Sequence, residues 1–154
     1  LSQTHSSESM GIAAAMATCK FYLKNNVETH IANIGSLLKN RVNAVLENSF
    51  LSSKIRLGGL NQNPTWLTTL EDDVDNLRLR SWLIKKMMDE KILVSWFTIT
   101  HCHTSRHIKL TCNALQKIIE SSQESDYISI PVDQLPQPVF RKFQHWRSSY
   151  SENH

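Results

Sequence analysis

Apolar residues recur at helical spacing along much of this chain. Val27, Ile31, Ile34, Leu38, Val42 and Val45 form one stripe, which predicts a long helix from Val27 to Glu47. Lys39, Asn40 and Asn43 then fill its outer face. Upstream, the alanine-rich run Ala13 to Ala17 predicts a first helix from about Glu8 to Asn25, with Ser6 or Ser7 as N-cap and Asn25-Asn26 as the break. Downstream the period changes. Ile55-Arg56-Leu57-Gly58-Gly59-Leu60 reads as a short strand ending in a glycine bend, and Trp66 to Leu70 reads as its partner across a turn at Asn61 to Pro64.

Glu71-Asp72-Asp73 places acidic side chains where a helix start favours them. The third helix so predicted carries Leu79, Leu83 and Met87 and ends near Lys91. Ile92 to Thr98 is β-branched and aromatic and predicts a third strand. Thr104 or Ser105 then caps a fourth helix whose apolar spacing runs through Ile108, Leu115, Ile118 and Ile119; a strand over His107 to Thr111 is the alternative. After Ser121 the sequence turns polar, and Pro131, Pro136 and Pro138 punctuate an extended tail. Within it, Val139 to Trp146 carries aromatics and bases. The pattern predicts an α+β fold in three parts: residues 1–26 as loop and linking helix, 27–122 as a small domain, and 123–154 as tail.

Bulk properties narrow the classes. The 154 residues are 40% hydrophobic and 20% charged, with a net charge of +3, so one ordinary core is expected. Lys and Arg are scattered among Asp and Glu, which argues against a nucleic-acid surface. No apolar run approaches the roughly 20 residues that span a bilayer, and the polar start is unlike a signal peptide. The three cysteines, Cys19, Cys102 and Cys112, have no paired short spacing, which points to a reducing compartment, the cytoplasm. Leu1 is not an initiator methionine, which fits a fragment or a processed chain.

The candidate chemistry lies mainly at the start. Leu1 to Ser9 is a hydroxyl-rich loop that runs into the alanine-rich helix. A helix N-terminus offers unpaired N–H groups and partial positive charge, an arrangement suited to phosphate. The bland alternative is that Thr4 and Ser6 simply cap the helix. Arg56 on the first strand is the candidate for bidentate pairing with a carboxylate, against the alternative of a solvated arginine. Gly58-Gly59 lacks the following Lys-Ser/Thr of a phosphate cradle and reads as a bend. His101-Cys102-His103, with His107 four residues on, has ligand chemistry for zinc, but a closed site takes four ligands. No second cluster is visible, so no metal is expected. Trp66, Trp82 and Trp96 fall in predicted elements and read as core.

Three segments together resemble the class III pyridoxal-phosphate-dependent aminotransferases of fold type I, and glutamate-1-semialdehyde aminomutase-like members in particular. Thr4 to Thr18, with Gly11 and Ala13 to Ala15, is similar to the family's phosphate-contact loop and following helix. Ile31 to Val45, with Gly35 inside, is similar to a helix in which Gly precedes a basic, leucine-containing run. His103-Thr104, then Ile108 and Ala114-Leu115, resembles the opening of the family's last helix. The resemblance covers about Leu1 to Glu120.

The resemblance implies the family's C-terminal small domain: a short, three-stranded, mostly antiparallel sheet covered by helices and preceded by a long helix. It also implies pyridoxal 5'-phosphate as cofactor, with Thr4 and Gln3 at its phosphate, and a homodimer. A small amino or keto acid would be the substrate, with Arg56 at its carboxylate. His5 and Ser6 stand where relatives often carry aromatic residues. The family's Schiff-base lysine motif is absent, so no catalytic residue is assigned within this chain. The expected role is that of a portion inactive alone; the competing role is a non-catalytic protein-interaction module derived from such a domain.

Overall fold

In the computed structural model, residues 8–94 and 97–136 are described. Helix α1 (Ser9–Asn25) ends at Asn26, whose left-handed backbone (φ 47°, ψ 44°) caps it and starts α2 (Val27–Glu47). Asparagine tolerates that conformation better than most residues. Val27, Gly35, Leu38, Val42 and Leu46 line the buried face of α2. The predicted stripe was therefore right in period, with Ile31, Ile34 and Val45 at its half-buried margins. Helix α1 begins one residue later than expected: its N-cap is Glu8, with no side-chain capping bond, and not Ser6 or Ser7.

Strands β1 (Ile55–Leu60) and β2 (Asn63–Thr68) pair antiparallel, from Ile55 opposite Thr68 to Leu60 opposite Asn63. The connection is only Asn61-Gln62, tighter than the expected turn at Asn61 to Pro64. Pro64 is a strand residue opposite Gly59. Asn43 Nδ2 donates to Leu57 O (3.0 Å), Leu57 N donates to Asn43 Oδ1 (2.8 Å), and Lys39 Nζ donates to Gly59 O (2.8 Å). Leu57 and Gly59 thus turn their polar groups away from β2. By the alternation of an antiparallel ladder, Gly59 and Pro64 form a non-hydrogen-bonded pair, where a proline removes no ladder bond. Asn43 and Lys39 accordingly do not lie on a purely solvated face.

Helix α3 (Asp73–Asp89) is capped by Asp72, whose Oδ1 accepts from Val74 N at 2.6 Å and Asp75 N at 3.1 Å. The chain leaves it through Lys91 at φ 66°. The expected third strand at Ile92 to Thr98 is a correction: among the described residues the sheet has two strands. Val94, Phe97 and Ile99 are nonetheless buried, Phe97 lying against Trp66 with ring centroids 5.3 Å apart. Ile99 N donates to Gln62 O (3.2 Å), at the hairpin turn. The apolar side chains that suggested a strand find their burial without a ladder. On the outer edge of β1, α2 side chains already occupy the backbone groups of Leu57 and Gly59. Trp96 lies outside the described residues.

Helix α4 (Ser105–Glu120) follows, with Thr104 as N-cap, so the strand alternative over His107 to Thr111 is excluded. It packs on α2 and α3, placing Ile108, Ala114, Leu115 and Ile118 in one core with α2, the hairpin and α3. Residues after Ser121 are not simply extended. A short helix α5 (Ser125–Ile128) and a 3-10 turn at Val132–Gln134 fold back on α3. Tyr127 and Leu135 are buried there, and Arg78 Nε donates to Ile130 O at 2.9 Å. Lys54 pairs with Glu124 at 2.6 Å, tying this segment to the hairpin. The aromatic and basic stretch Val139 to Trp146 lies outside the described residues.

Helix α1 contrasts with the rest. None of its residues is buried, and Met10, Ile12, Met16 and Leu23 are exposed, Leu23 by 83%. Among the described residues no helix is long and apolar enough to cross a membrane.

Candidate functional site

The expected phosphate-contact residues, Gln3 and Thr4, lie outside the described residues. Their chemistry can still be weighed against the helix they precede. The first turn of α1 carries no acidic side chain, but its N-cap is Glu8, whose carboxylate already answers part of the positive charge of the helix start. A hydroxyl and a carboxamide can both donate to a phosphate oxygen.

Arg56 is exposed on β1, opposite Leu67. Its guanidinium runs along the strand: a Cβ built on Gly58 would lie 4.0 Å from Arg56 Nη1. The core-facing neighbours Ile55 and Leu57 point the other way, as strand alternation requires. No carboxylate pairs with Arg56 among the described residues. The guanidinium is thus available to an incoming acid but stands on open surface.

The histidines converge instead. His30 on α2 places Nε2 2.9 Å from His103 O, and its ring lies 4.9 Å from that of His101. Phe21 of α1 meets the other side of His101, edge to face at 5.1 Å. His101 therefore stands where α1, α2 and the loop before α4 meet, and its Nδ1 is buried with no hydrogen-bond partner among the described residues. His103 precedes α4, so it does not share a helix face with His107 as the spacing suggested; the two rings still meet edge-on at 5.7 Å. Among the described residues no three His, Cys, Asp or Glu side chains gather around a common metal position.

Backbone partners fix the chemical state of two of these rings. Thr100 N donates to His103 Nδ1 (3.0 Å), and Thr104 N donates to His107 Nδ1 (3.1 Å). The hydroxyls of the same threonines approach the same nitrogens, at 2.9 and 3.1 Å. A backbone N–H can only donate, so each Nδ1 is the acceptor and each neutral ring carries its proton on Nε2. Sequence reasoning weighed the histidines only as candidate metal ligands, expected no metal, and missed this. The signal was the repeated Thr-x-x-His spacing, Thr100 with His103 and Thr104 with His107.

Beside these rings lies a groove of about 260 Å³ between α4 and the segment that follows α3. Leu38, Phe97 and Ile108 are among its apolar walls, and Lys91, His103 and His107 supply polar groups. Cys102 is exposed, as is Cys19, while Cys112 is half-buried. Burial pushes the Cys112 thiol up, partly offset by the Arg41 charge. Cys112 is therefore poorly placed for nucleophilic work.

A scan against family models, a search of curated proteins and a search of solved structures each found no match to this chain.

Proposed function

We propose that this chain forms the small-domain portion of a pyridoxal-phosphate-dependent class III aminotransferase of fold type I. In this reading the segment before α1 faces the cofactor phosphate. The observation that carries the reading is α1 itself. It follows a hydroxyl-rich sequence, has no buried residue, and exposes large apolar side chains along its length. Surface of that kind is normally covered, as a helix linking two structural units would be. Further support comes from the order long helix, hairpin, helix, then a last helix opened by His103-Thr104.

In this assignment Thr4 would donate its hydroxyl and Gln3 its carboxamide to the phosphate, and the start of α1 would add favourable potential, offset in part by the Glu8 carboxylate at its N-cap. Arg56 would pair with the carboxylate of a small amino or keto acid. The cofactor, when bound, supplies the electron sink for amino-group transfer. This chain's part is to hold and orient, in a cytoplasmic homodimer, and it is inactive alone. The lysine that carries the cofactor would belong to another part of the same protein.

The test is an absorbance spectrum of the longest natural product of the gene with pyridoxal phosphate, before and after borohydride. The expected result is a visible band that borohydride abolishes, with the reduced adduct on a lysine outside residues 1–154. A product that spans only these residues and shows no such band overturns the enzyme reading. It would favour the second reading, a non-catalytic interaction module, for which the exposed apolar face of α1 is equally suited.

A further inference from the structure

We infer that the groove between α4 and the segment after α3 is a binding site for a small monocarboxylate with an apolar body. Lys91, His103 and His107 hold the acid, and Leu38, Phe97 and Ile108 contact the body. The inference does not rest on the cofactor assignment, since none of these residues belongs to that site.

Three observations converge. The first is shape. At about 260 Å³ the groove lies just below the range of ordinary ligand pockets, and exposed Leu93 and Leu110 line it above the buried Leu38, Phe97 and Ile108. A ligand of a few carbons with one polar end suits it. The second is the fixed state of the histidines. Because both Nδ1 atoms accept from backbone N–H groups, the hydrogen-bonding edge left to each ring is an Nε2–H donor. Among the described residues neither Nε2–H has a protein acceptor. The two rings lie 5.7 Å apart, centroid to centroid, and both line the groove, so one carboxylate is within reach of both. The neutral alternative, an alcohol or amide, offers one acceptor oxygen and no charge to meet Lys91.

The third observation is charge. Between Glu90 and Glu120 the sequence has no Asp or Glu, while it holds Lys91, Arg106, Lys109 and Lys117. Of the two flanking carboxylates, Glu90 is drawn away to Lys117, 2.5 Å from its Nζ. Glu120 accepts from Gln116 at the far end of α4. Lys91 is exposed at the groove and unpaired among the described residues. It sits at the turn out of α3, at φ 66°, and lines the same groove as the two rings. A lining that holds Lys91 and no carboxylate favours an anion, and the apolar wall favours one with a hydrocarbon body.

The experiment is a titration of the full chain with hexanoate, followed by two-bond proton–nitrogen correlations of the histidine rings. Without ligand, His103 and His107 should both show the Nε2–H tautomer. Added hexanoate should shift both Nε2 resonances along one saturable curve. Hexanol, which lacks the acid, and acetate, which lacks the body, should fail to saturate over the same range. Lys91→Gln leaves every hydrogen bond described here intact and should weaken hexanoate about threefold, as loss of an exposed charge pair does. Leu110→Trp, at an exposed α4 position on the groove, should block it. Shifts that stay linear with concentration overturn the proposal, as does hexanol matching hexanoate. Unchanged binding in both variants would overturn it too.

Discussion

A Cβ added to Gly35 would lie 1.7 Å from the carbonyl oxygen of Asn61. The backbone of α2 therefore rests directly on the hairpin turn, and only the missing side chain allows it. Alanine at this position would gain about 1 kcal/mol of helix propensity. It would also force α2 and the hairpin apart, an overpacking cost of about 3 kcal/mol or more when the obstacle is backbone. Gly35→Ala is expected to lose about 2 kcal/mol or more net, read as a lower urea midpoint at unchanged slope. Full stability in the variant would show that the turn moves freely away from α2.

Asn43 serves Leu57 with both ends of its amide. Asn43→Leu would leave the N–H and the C=O of Leu57 unpaired in a half-buried setting, at a cost of about 1 to 3 kcal/mol. Asn43→Asp would keep the bond from Leu57 N but turn a carboxylate oxygen towards Leu57 O. Amide exchange at Leu57 separates the cases: faster in the leucine variant, still protected in the aspartate variant. Equal protection in all three would mean the clamp contributes nothing.

These two contacts show where the sequence was legible. The bounds of α2 and β1, and the centres of α3 and α4, follow from apolar period and caps such as Asp72, because those signals are local. The tight two-residue turn and the inward role of Asn43 were not legible. Both depend on α2 passing the edge of β1, a relationship between segments more than ten residues apart. The third strand failed for a related reason. Ile92 to Thr98 has strand chemistry, but residues such as Phe97 gain burial against Trp66 without ladder bonds. At the candidate site, residue types pointed to His103 and His107, while their tautomers depend on backbone donors that composition does not reveal.

Tyr127 is buried, and its hydroxyl donates to Glu124 Oε1 at 3.2 Å. Burial first, then the Glu124 charge, push its phenol up to about 12 from 10. The folded state thus keeps a proton that the unfolded chain releases. Stability should be insensitive to this group below pH 10 and should fall as pH rises from 10 towards 12. In Tyr127→Phe that alkaline slope should shrink, while stability near neutrality drops by about 1 kcal/mol through the lost hydrogen bond. Denaturant midpoints measured across the alkaline range check both. An identical slope in the variant would assign it to other groups.

Thiol reactivity should divide the three cysteines. Cys19 and Cys102 are exposed, whereas Cys112 is half-buried and its thiol is pushed up by burial. Only the thiolate reacts. A disulfide reagent near neutral pH should therefore modify two thiols quickly and one slowly, the slow one vanishing in Cys112→Ser. Three equal rates would place Cys112 in contact with solvent.

Asn26 is the sole residue between α1 and α2, no residue of α1 is buried, and Phe21 packs on His101. Seventeen residues of helix span about 25 Å. A rotation of about 10° at that one left-handed residue would carry the far end of α1 roughly 4 Å, by the leverage of that length. The aim of the chain's first helical turn is therefore set by one pair of dihedral angles and an aromatic wedge, so whatever meets that turn is held at the end of a boom.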